Sequence, residues 1–305
     1  MKDLLHIDHA NDYALEVGAP VWHPLVGIVH YDELGAIGHN LIKLGVYAIF
    51  VQDNFPTDPT YGMGGYKIDE GALTAAAPGQ IIGKADDGKR EEYHGWALFF
   101  DRELMHGTQF EHRLQDYHFF SYNVNEALQM TDDEKQTMYH LMEEIRTVLS
   151  GGSRNDLRDR ILQDYILLVC DYCRLFYQRQ FALGDQRQSD LQSRLLKVLN
   201  DYYEKRLHER HGLPNVKYCA SELCLSQSYF GDVIRGMTGD GPARIIYRFL
   251  IDRAKGLMIS GMSVSQTANE LGFEYPQHFT RFFKKHTGLQ PSKYIASLKG
   301  ARSAD

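Results

Sequence analysis

The chain has 305 residues, 43% of them hydrophobic and 24% charged, with 4 cysteines and a formal net charge of −7. These totals suit two domains with real cores and exclude both a low-complexity chain and a disulfide-stapled miniprotein. No run approaches the roughly 18 apolar residues of a membrane span, and the opening MKDLLHIDHA puts acids where a secretory signal needs cations, so a cytoplasmic protein with no membrane partner is expected. The charge is unevenly divided: residues 1–189 hold 16 Lys and Arg against 29 Asp and Glu, whereas residues 190–305 hold 17 against 11. That asymmetry predicts an anion-binding module joined to an acidic one.

In chain order, residues 1–125 read as short strands. Apolar runs at 24–29, 47–51 and 96–100 are separated by turn signals at Asp53-Asn54-Phe55-Pro56, Pro78-Gly79 and Asp86-Asp87-Gly88, a pattern that suggests a barrel or a sandwich. Thr131 then caps a helix with acids in its first turn and Leu141, Ile145 and Leu149 at helical spacing, ended by Gly151-Gly152. A second helix over about 155–181 carries Leu157, Ile161, Tyr165, Leu168, Tyr172, Leu175 and Phe176, positions that alternate three and four apart for several turns, the period of a helix-pairing seam. Packing against its own domain and a homodimer contact through the 153–181 helix both fit that stripe. Cys170 and Cys173 have the spacing of a thiol redox motif, but they lie mid-helix, where core packing is expected. The polar stretch 183–190 reads as a linker between a domain over 1–182 and another over 191–305. Short helices follow at 190–209, 216–223, 227–236, 241–259, 263–271, 275–286 and 291–299, with Gly239 and Gly288 as stops.

The second half contains a repeat. Ala220, Glu222 and Leu223 return 48 residues later as Ala268, Glu270 and Leu271, and Phe230, Thr238 and Gly239 return 49 residues later as Phe279, Thr287 and Gly288. The one-residue slip falls between the two sets, so each copy is helix, short turn, helix, with the insertion in the turn. This is the form of a helix-turn-helix, in which a small residue (Ala220, Ala268) lets the helices cross closely and the second helix is offered to a groove. Ser226 caps the second helix of the first copy, and Ser263 with Gln266 makes a capping box in the second.

On the second helix of the later copy, Phe279, Phe282 and Phe283 lie on one stripe and are expected to face the core. Gln277, Arg281, Lys284 and Lys285 lie on another. Gln pairs two-pronged with adenine and Arg with guanine in the major groove, while Lys284, Lys285 and His286 near the helix end suit phosphates. The candidate contacts to double-stranded DNA are Gln277, His278, Thr280, Arg281, Lys284 and Lys285, with Ser228, Tyr229, Asp232 and Arg235 in the earlier copy. There Gly231 and Asp232 replace Thr280 and Arg281, so fewer base contacts are expected.

These residues resemble the AraC/XylS family of bacterial transcription regulators. The likeness runs from Leu191 to Lys299 and is strongest at Arg253-Ala254-Lys255, Ala268, Leu271-Gly272-Phe273, Phe279, Arg281, Phe283-Lys284-Lys285, Gly288 and Pro291-Ser292-Lys293-Tyr294. The resemblance implies two helix-turn-helix subdomains joined by a long helix near 241–259, with recognition helices near 227–236 and 275–286 entering successive major grooves. It also implies an activator that acts on RNA polymerase at promoters, and an N-terminal cupin-like regulatory barrel, about 1–125, with paired helices at 131–181. The fold class expected is therefore α+β multidomain: a cupin-like β-barrel with paired helices, then an all-α domain of two helix-turn-helix subdomains. No His-x-His with a following Glu stands in the barrel region, so no metal, cofactor or catalytic residue is expected. A small-molecule effector, of the sugar or planar class, is expected at the barrel mouth, where Trp22, His23, Tyr47, Phe50, Tyr66 and Trp96 are the candidates. A cupin-type metal-dependent enzyme carrying a nucleic-acid-binding module, and a non-specific architectural DNA binder, are the competing readings.

Overall fold

A computed structural model describes residues 4–38, 40–53, 71–83, 88–108, 111–123, 126–152, 155–182 and 185–302, so Tyr66 lies outside the described residues. The chain divides into two compact units, Met1–Leu183 and Gly184–Asp305.

The N-terminal unit is built on strands β1 (Leu5–Ile7), β2 (Val26–His30), β3 (Ile37–Gly38), β4 (Leu41–Leu44), β5 (Tyr47–Gln52), β6 (Ala72–Ala76), β7 (Ile81–Gly83), β8 (Arg90–Glu91), β9 (Gly95–Phe100) and β10 (Leu128–Gln129), with the short helix α1 (Asp12–Val17) after β1. The three apolar runs legible in the sequence become β2, β5 and β9, which are neighbours in a five-stranded sheet of order β10-β6-β5-β9-β2. Every residue of β9 is buried, as expected of a strand covered on both faces. Its two faces do different work. Ala97 and Phe99, with Val29, Ala48 and Phe50, share one core with Ile7, Ile42 and Leu44 of the three-stranded sheet β1-β4-β7. Trp96, Leu98 and Phe100 alternate to the opposite face, the side of the sheet on which the following helix packs. Gly95 opens β9 with φ +108, and a Cβ there would stand 2.1 Å from the Val51 carbonyl oxygen, so only glycine allows β5 and β9 to approach at this end. Among the described residues the sheets stay open and no pairing closes them into the expected barrel. Aromatic side chains such as Tyr13, Phe50 and Phe99 fill the space between the sheets.

Two helices complete the unit. Helix α2 (Asp132–Ser150) begins at Thr131 with a full capping box, Thr131 and Glu134 each satisfying the other's backbone N–H. Its apolar stripe, Met138, Leu141, Met142, Ile145 and Leu149, is buried. Helix α3 (Asp156–Ala182) runs against it, and Arg179 near its end donates from Nε to Glu134 Oε1 at 2.6 Å and from Nη2 to the Gln129 carbonyl at 2.6 Å, tying the two helices and β10 together. Cys170 and Cys173 are fully buried, and burial pushes both thiols far up, which makes them packing residues rather than nucleophiles. Only part of the seam is covered: Leu157, Leu168 and Leu175 of α3 are 66%, 41% and 55% exposed.

The regular structure of the C-terminal unit among its described residues is all helix: α4 (Asp185–Glu204), α5 (His208–His211), α6 (Val216–Glu222), α7 (Gln227–Thr238), α8 (Pro242–Ile259), α9 (Val264–Leu271), α10 (Pro276–Thr287) and α11 (Pro291–Arg302). The first of these differs from expectation at both ends. It starts at Asp185, inside the stretch read as a linker, and it stops at Glu204 instead of running to 209. The stop is local: Arg206 turns left-handed at φ 53, and the Leu207 and Arg206 N–H groups bond back to the Tyr202 and Tyr203 carbonyls, a helix terminator made here without glycine. The short helix α5 that follows is not among those expected, and α6 to α11 agree with the expected bounds to within two or three residues, because their caps are encoded locally.

Candidate nucleic-acid interface

The two copies of the repeat share their turn and cap geometry. In the first, α6 ends at Glu222 with Leu223 as its cap, and Cys224 turns left-handed at φ 58; in the second, α9 ends at Leu271 and Gly272 turns left-handed at φ 88. The next N–H, of Leu225 or Phe273, returns to the carbonyl of Ala220 or Ala268 at 2.9 Å in both. The caps of the following helices, Ser226 and Tyr275, are 49 residues apart, so the inserted residue is Glu274. Gly272 is required by a close approach: a Cβ would lie 2.9 Å from Gly212 and 3.2 Å from the His208 side chain. Cys224, which has no such neighbour and is exposed, keeps its side chain.

Helices α7 and α10 are each 12 residues long and end alike, at left-handed Gly239 and Gly288. The hydroxyls of Thr238 and Thr287 donate to the Ile234 and Phe283 carbonyls at 2.8 Å. Proline opens α10 at a position whose N–H has no helical partner. The buried faces match too: Phe230 and Ile234 in α7, Phe279 and Phe283 in α10, all fully buried in a single core with Ile246, Leu250, Ala254 and Met258 of α8. Phe282 is only partly buried and packs on Tyr247 and Phe273.

The outward faces diverge. In α10, Gln277, His278, Arg281, Lys284 and Lys285 are exposed, Thr280 is half-buried, and its hydroxyl is spent on the Pro276 carbonyl at 3.0 Å. Among the described residues no ion pair engages Arg281, Lys284 or Lys285. His286 lies against Tyr247 and Phe282. Partial burial of the ring, then the charges of Lys285 and Arg244, hold its imidazole below its ordinary value. In α7, Asp232 occupies the place of Arg281 and accepts a hydrogen bond at 2.8 Å from Arg235, the counterpart of Lys284. Asp232 is 19% exposed against 58% for Arg235. Ser228 and Tyr229 are half-buried, the Tyr229 N–H being held by Ser226 Oγ at 3.2 Å. One copy therefore offers unpaired cations and the other an internally neutralised pair.

The residues expected near an effector are scattered. Trp22 and Trp96 line one cavity in the N-terminal unit. His23 is buried: its Nδ1 accepts from the Leu25 N–H at 3.2 Å, so its Nε2 donates to Asp159 Oδ1 at 3.0 Å, anchoring the segment before β2 to α3. Tyr47 stacks on Phe100 and meets the edge of Phe120, and Phe50 is part of the core between the sheets. The cavity also draws on His30, Glu33 and Arg146, which the sequence did not single out; His30 meets Trp96 only through the β2–β9 register. Among the described residues no three His, Cys, Asp or Glu side chains are placed to share a metal ion, and no helix is long and apolar enough to cross a membrane.

Residues 219–297 match the family described as "Helix-turn-helix domain". The uncharacterized transcriptional regulatory protein YesN of Bacillus subtilis (strain 168) is 31% identical over 133 residues, which is 42% of this chain and 34% of that protein, so the chain spans about a third of that relative's length. Among solved structures, the DNA-binding domain of AdpA in complex with a target DNA is 25% identical and aligns over 36% of this chain and 97% of its own, with a TM-score of 0.31. Unsaturated fatty acid bound wild-type ToxT from Vibrio cholerae strain SCE256 is 14% identical over 89% of this chain and 93% of its own, with a TM-score of 0.29. Scores this low carry no argument about activity.

The two faces of α10 separate in a stability measurement. Phe279→Ala should destabilise the C-terminal unit by about 3–5 kcal/mol through the cavity it leaves, whereas Arg281→Ala should change stability by less than about 0.5 kcal/mol. Urea unfolding of the two variants checks this.

Proposed function

We infer that this chain, whose C-terminal unit is an AraC-type helix-turn-helix domain, is a sequence-specific DNA-binding transcription regulator controlled by a small molecule held in its N-terminal unit. The observation that carries the reading is α10: a helix anchored by Phe279 and Phe283 that presents Gln277, Arg281, Lys284 and Lys285 to solvent with no acid among the described residues paired to its cations. Such a face complements the edges and phosphates of a major groove. The paired copy supports two contacts on one duplex, about one helical turn apart, and RNA polymerase at the promoter is the machinery on which the bound protein would act. The reading places the protein in the cytoplasm, where the DNA is, and makes it a regulator rather than an enzyme. For the N-terminal unit we favour a cupin-like arrangement, supported by the core that the five-stranded and three-stranded sheets share.

Selection from a random duplex pool should return one motif, and Arg281→Ala should weaken binding to it by about 1–3 kcal/mol while relaxing preference at a single base pair. Equal affinity for the selected and scrambled duplexes would favour an architectural binder instead. Lys284→Ala should weaken all duplexes alike and flatten the salt dependence by about 0.9 of a log unit.

Asp232 acts in this reading as a brake on unselective binding, since it both repels phosphate and occupies Arg235. Asp232→Ala should tighten binding to unselected duplex and steepen its salt dependence by about one unit as Arg235 becomes free to neutralise a phosphate. An unchanged slope would remove that role.

Homodimerisation through α3 is supported by the exposed Leu157, Leu168 and Leu175, which share a face with the half-buried Ile161, Tyr165 and Tyr172 at seam spacing. Sedimentation should show a dimer that Leu168→Lys combined with Leu175→Lys converts to a monomer; a parent protein that is already monomeric rules the contact out.

A further inference from the structure

The cavity of the N-terminal unit lies on the helix-facing side of the five-stranded sheet, not in the space between the sheets, which Tyr13, Phe50 and Phe99 fill. Its volume is about 190 Å³. That is below the roughly 300–1,000 Å³ of sites for drug-sized ligands, so it suits a single ring with a short substituent. Trp22, Leu34 and Trp96 supply apolar wall, and His30, Glu33 and Arg146 supply the polar end.

The polar end is already arranged for a carboxylate. Arg146 donates from Nη1 to Glu33 Oε1 at 2.7 Å and from Nη2 to Oε2 at 3.0 Å, the two-pronged geometry in which a guanidinium holds a carboxyl group. The partners are unequally fixed: Glu33 is 48% exposed and free to swing into water, whereas Arg146 is 25% exposed and its guanidinium lies 5.9 Å from the centre of the Trp96 ring. Beside them His30 stacks on Trp96 at 4.0 Å with planes 7° apart, its Nε2 3.1 Å from Asp32 Oδ2 and its Nδ1 3.5 Å from Glu33 Oε1.

We propose that this cavity binds a small aromatic carboxylate, whose carboxyl group replaces Glu33 on Arg146 while its ring lies against Trp22 and Leu34. The proposal rests on the reading of the N-terminal unit as a sensor. Glu33 is then a built-in competitor that sets the concentration at which the ligand enters. A neutral sugar of the same size fits the class less well, because hydroxyl groups do not displace a carboxylate from a charge-assisted, two-pronged pair.

Trp22 and Trp96 are the chain's 2 tryptophans and both line the cavity, so the intrinsic fluorescence of the full chain reports the site without a label. Titration with phenylacetate should give a saturable change that phenylacetamide and glucose do not. Arg146→Gln should weaken phenylacetate binding at least about tenfold, and Glu33→Gln, which keeps the cation and weakens only its competitor, should tighten it roughly twofold to fivefold. No saturable response to phenylacetate, an equal response to phenylacetamide, or an unchanged affinity in Glu33→Gln overturns the proposal. Saturable binding that leaves affinity for the selected DNA motif unaltered would keep the site and overturn the sensor reading on which it rests.

Discussion

Helix α8 is the element on which the C-terminal unit depends. Ile246, Leu250, Ala254 and Met258 recur every fourth residue and, with Ile251, form a buried stripe that both helix pairs cover. Neither pair is large enough to build a core alone: short helices in water are marginal, and a unit this small has little interior to share. Joined through α8, they contribute Phe230, Ile234, Phe279 and Phe283 to one cluster. That common core is what allows α10 to turn unpaired cations outward, since its position is held from behind by packing and not by ion pairs on its own surface.

The two copies show how far a scaffold and its chemistry can separate. Turn geometry, the close crossing at Ala220 and Ala268, the threonine back-bonds and the left-handed glycine stops are held in common. The outward residues are not: among the described residues no ion pair engages Arg281 or Lys284, where Asp232 and Arg235 pair with each other. Fold and groove-facing charge are set by different faces of the same helix, so one can vary while the other is kept.

In the N-terminal unit a single sheet faces two environments. The parity of β2, β5 and β9 sends Val29, Ala48, Phe50 and Phe99 to the core between the sheets, and His30 and Trp96 to the helix side, where Arg146 of α2 reaches them. A one-residue change of register would exchange the two sets. The cavity is thus a consequence of sheet register and of where α2 lies on it.

What the sequence determined by itself is what short-range physics encodes. Thr131 with Glu134, Ser263 with Gln266, and the prolines and glycines at helix ends announce their helices because each satisfies backbone groups within a few residues. The repeat exposes the helix-turn-helix pair, and the 3.6-residue period divides Phe279, Phe282 and Phe283 from Arg281 and Lys284, although packing leaves Phe282 only partly buried. The tertiary structure alone decided what joins distant residues. It placed Trp22 and Trp96 with His30, Glu33 and Arg146, moved His23 into a bond with Asp159, and left the sheets open where a barrel was expected. The end of α4 at Glu204 is not legible in the sequence for a related reason, because its left-handed stop falls on Arg206, a residue type that gives no such signal. Caps and periodicity depend on neighbours within one turn, whereas strand order, register and cavities depend on contacts between residues that the chain holds far apart.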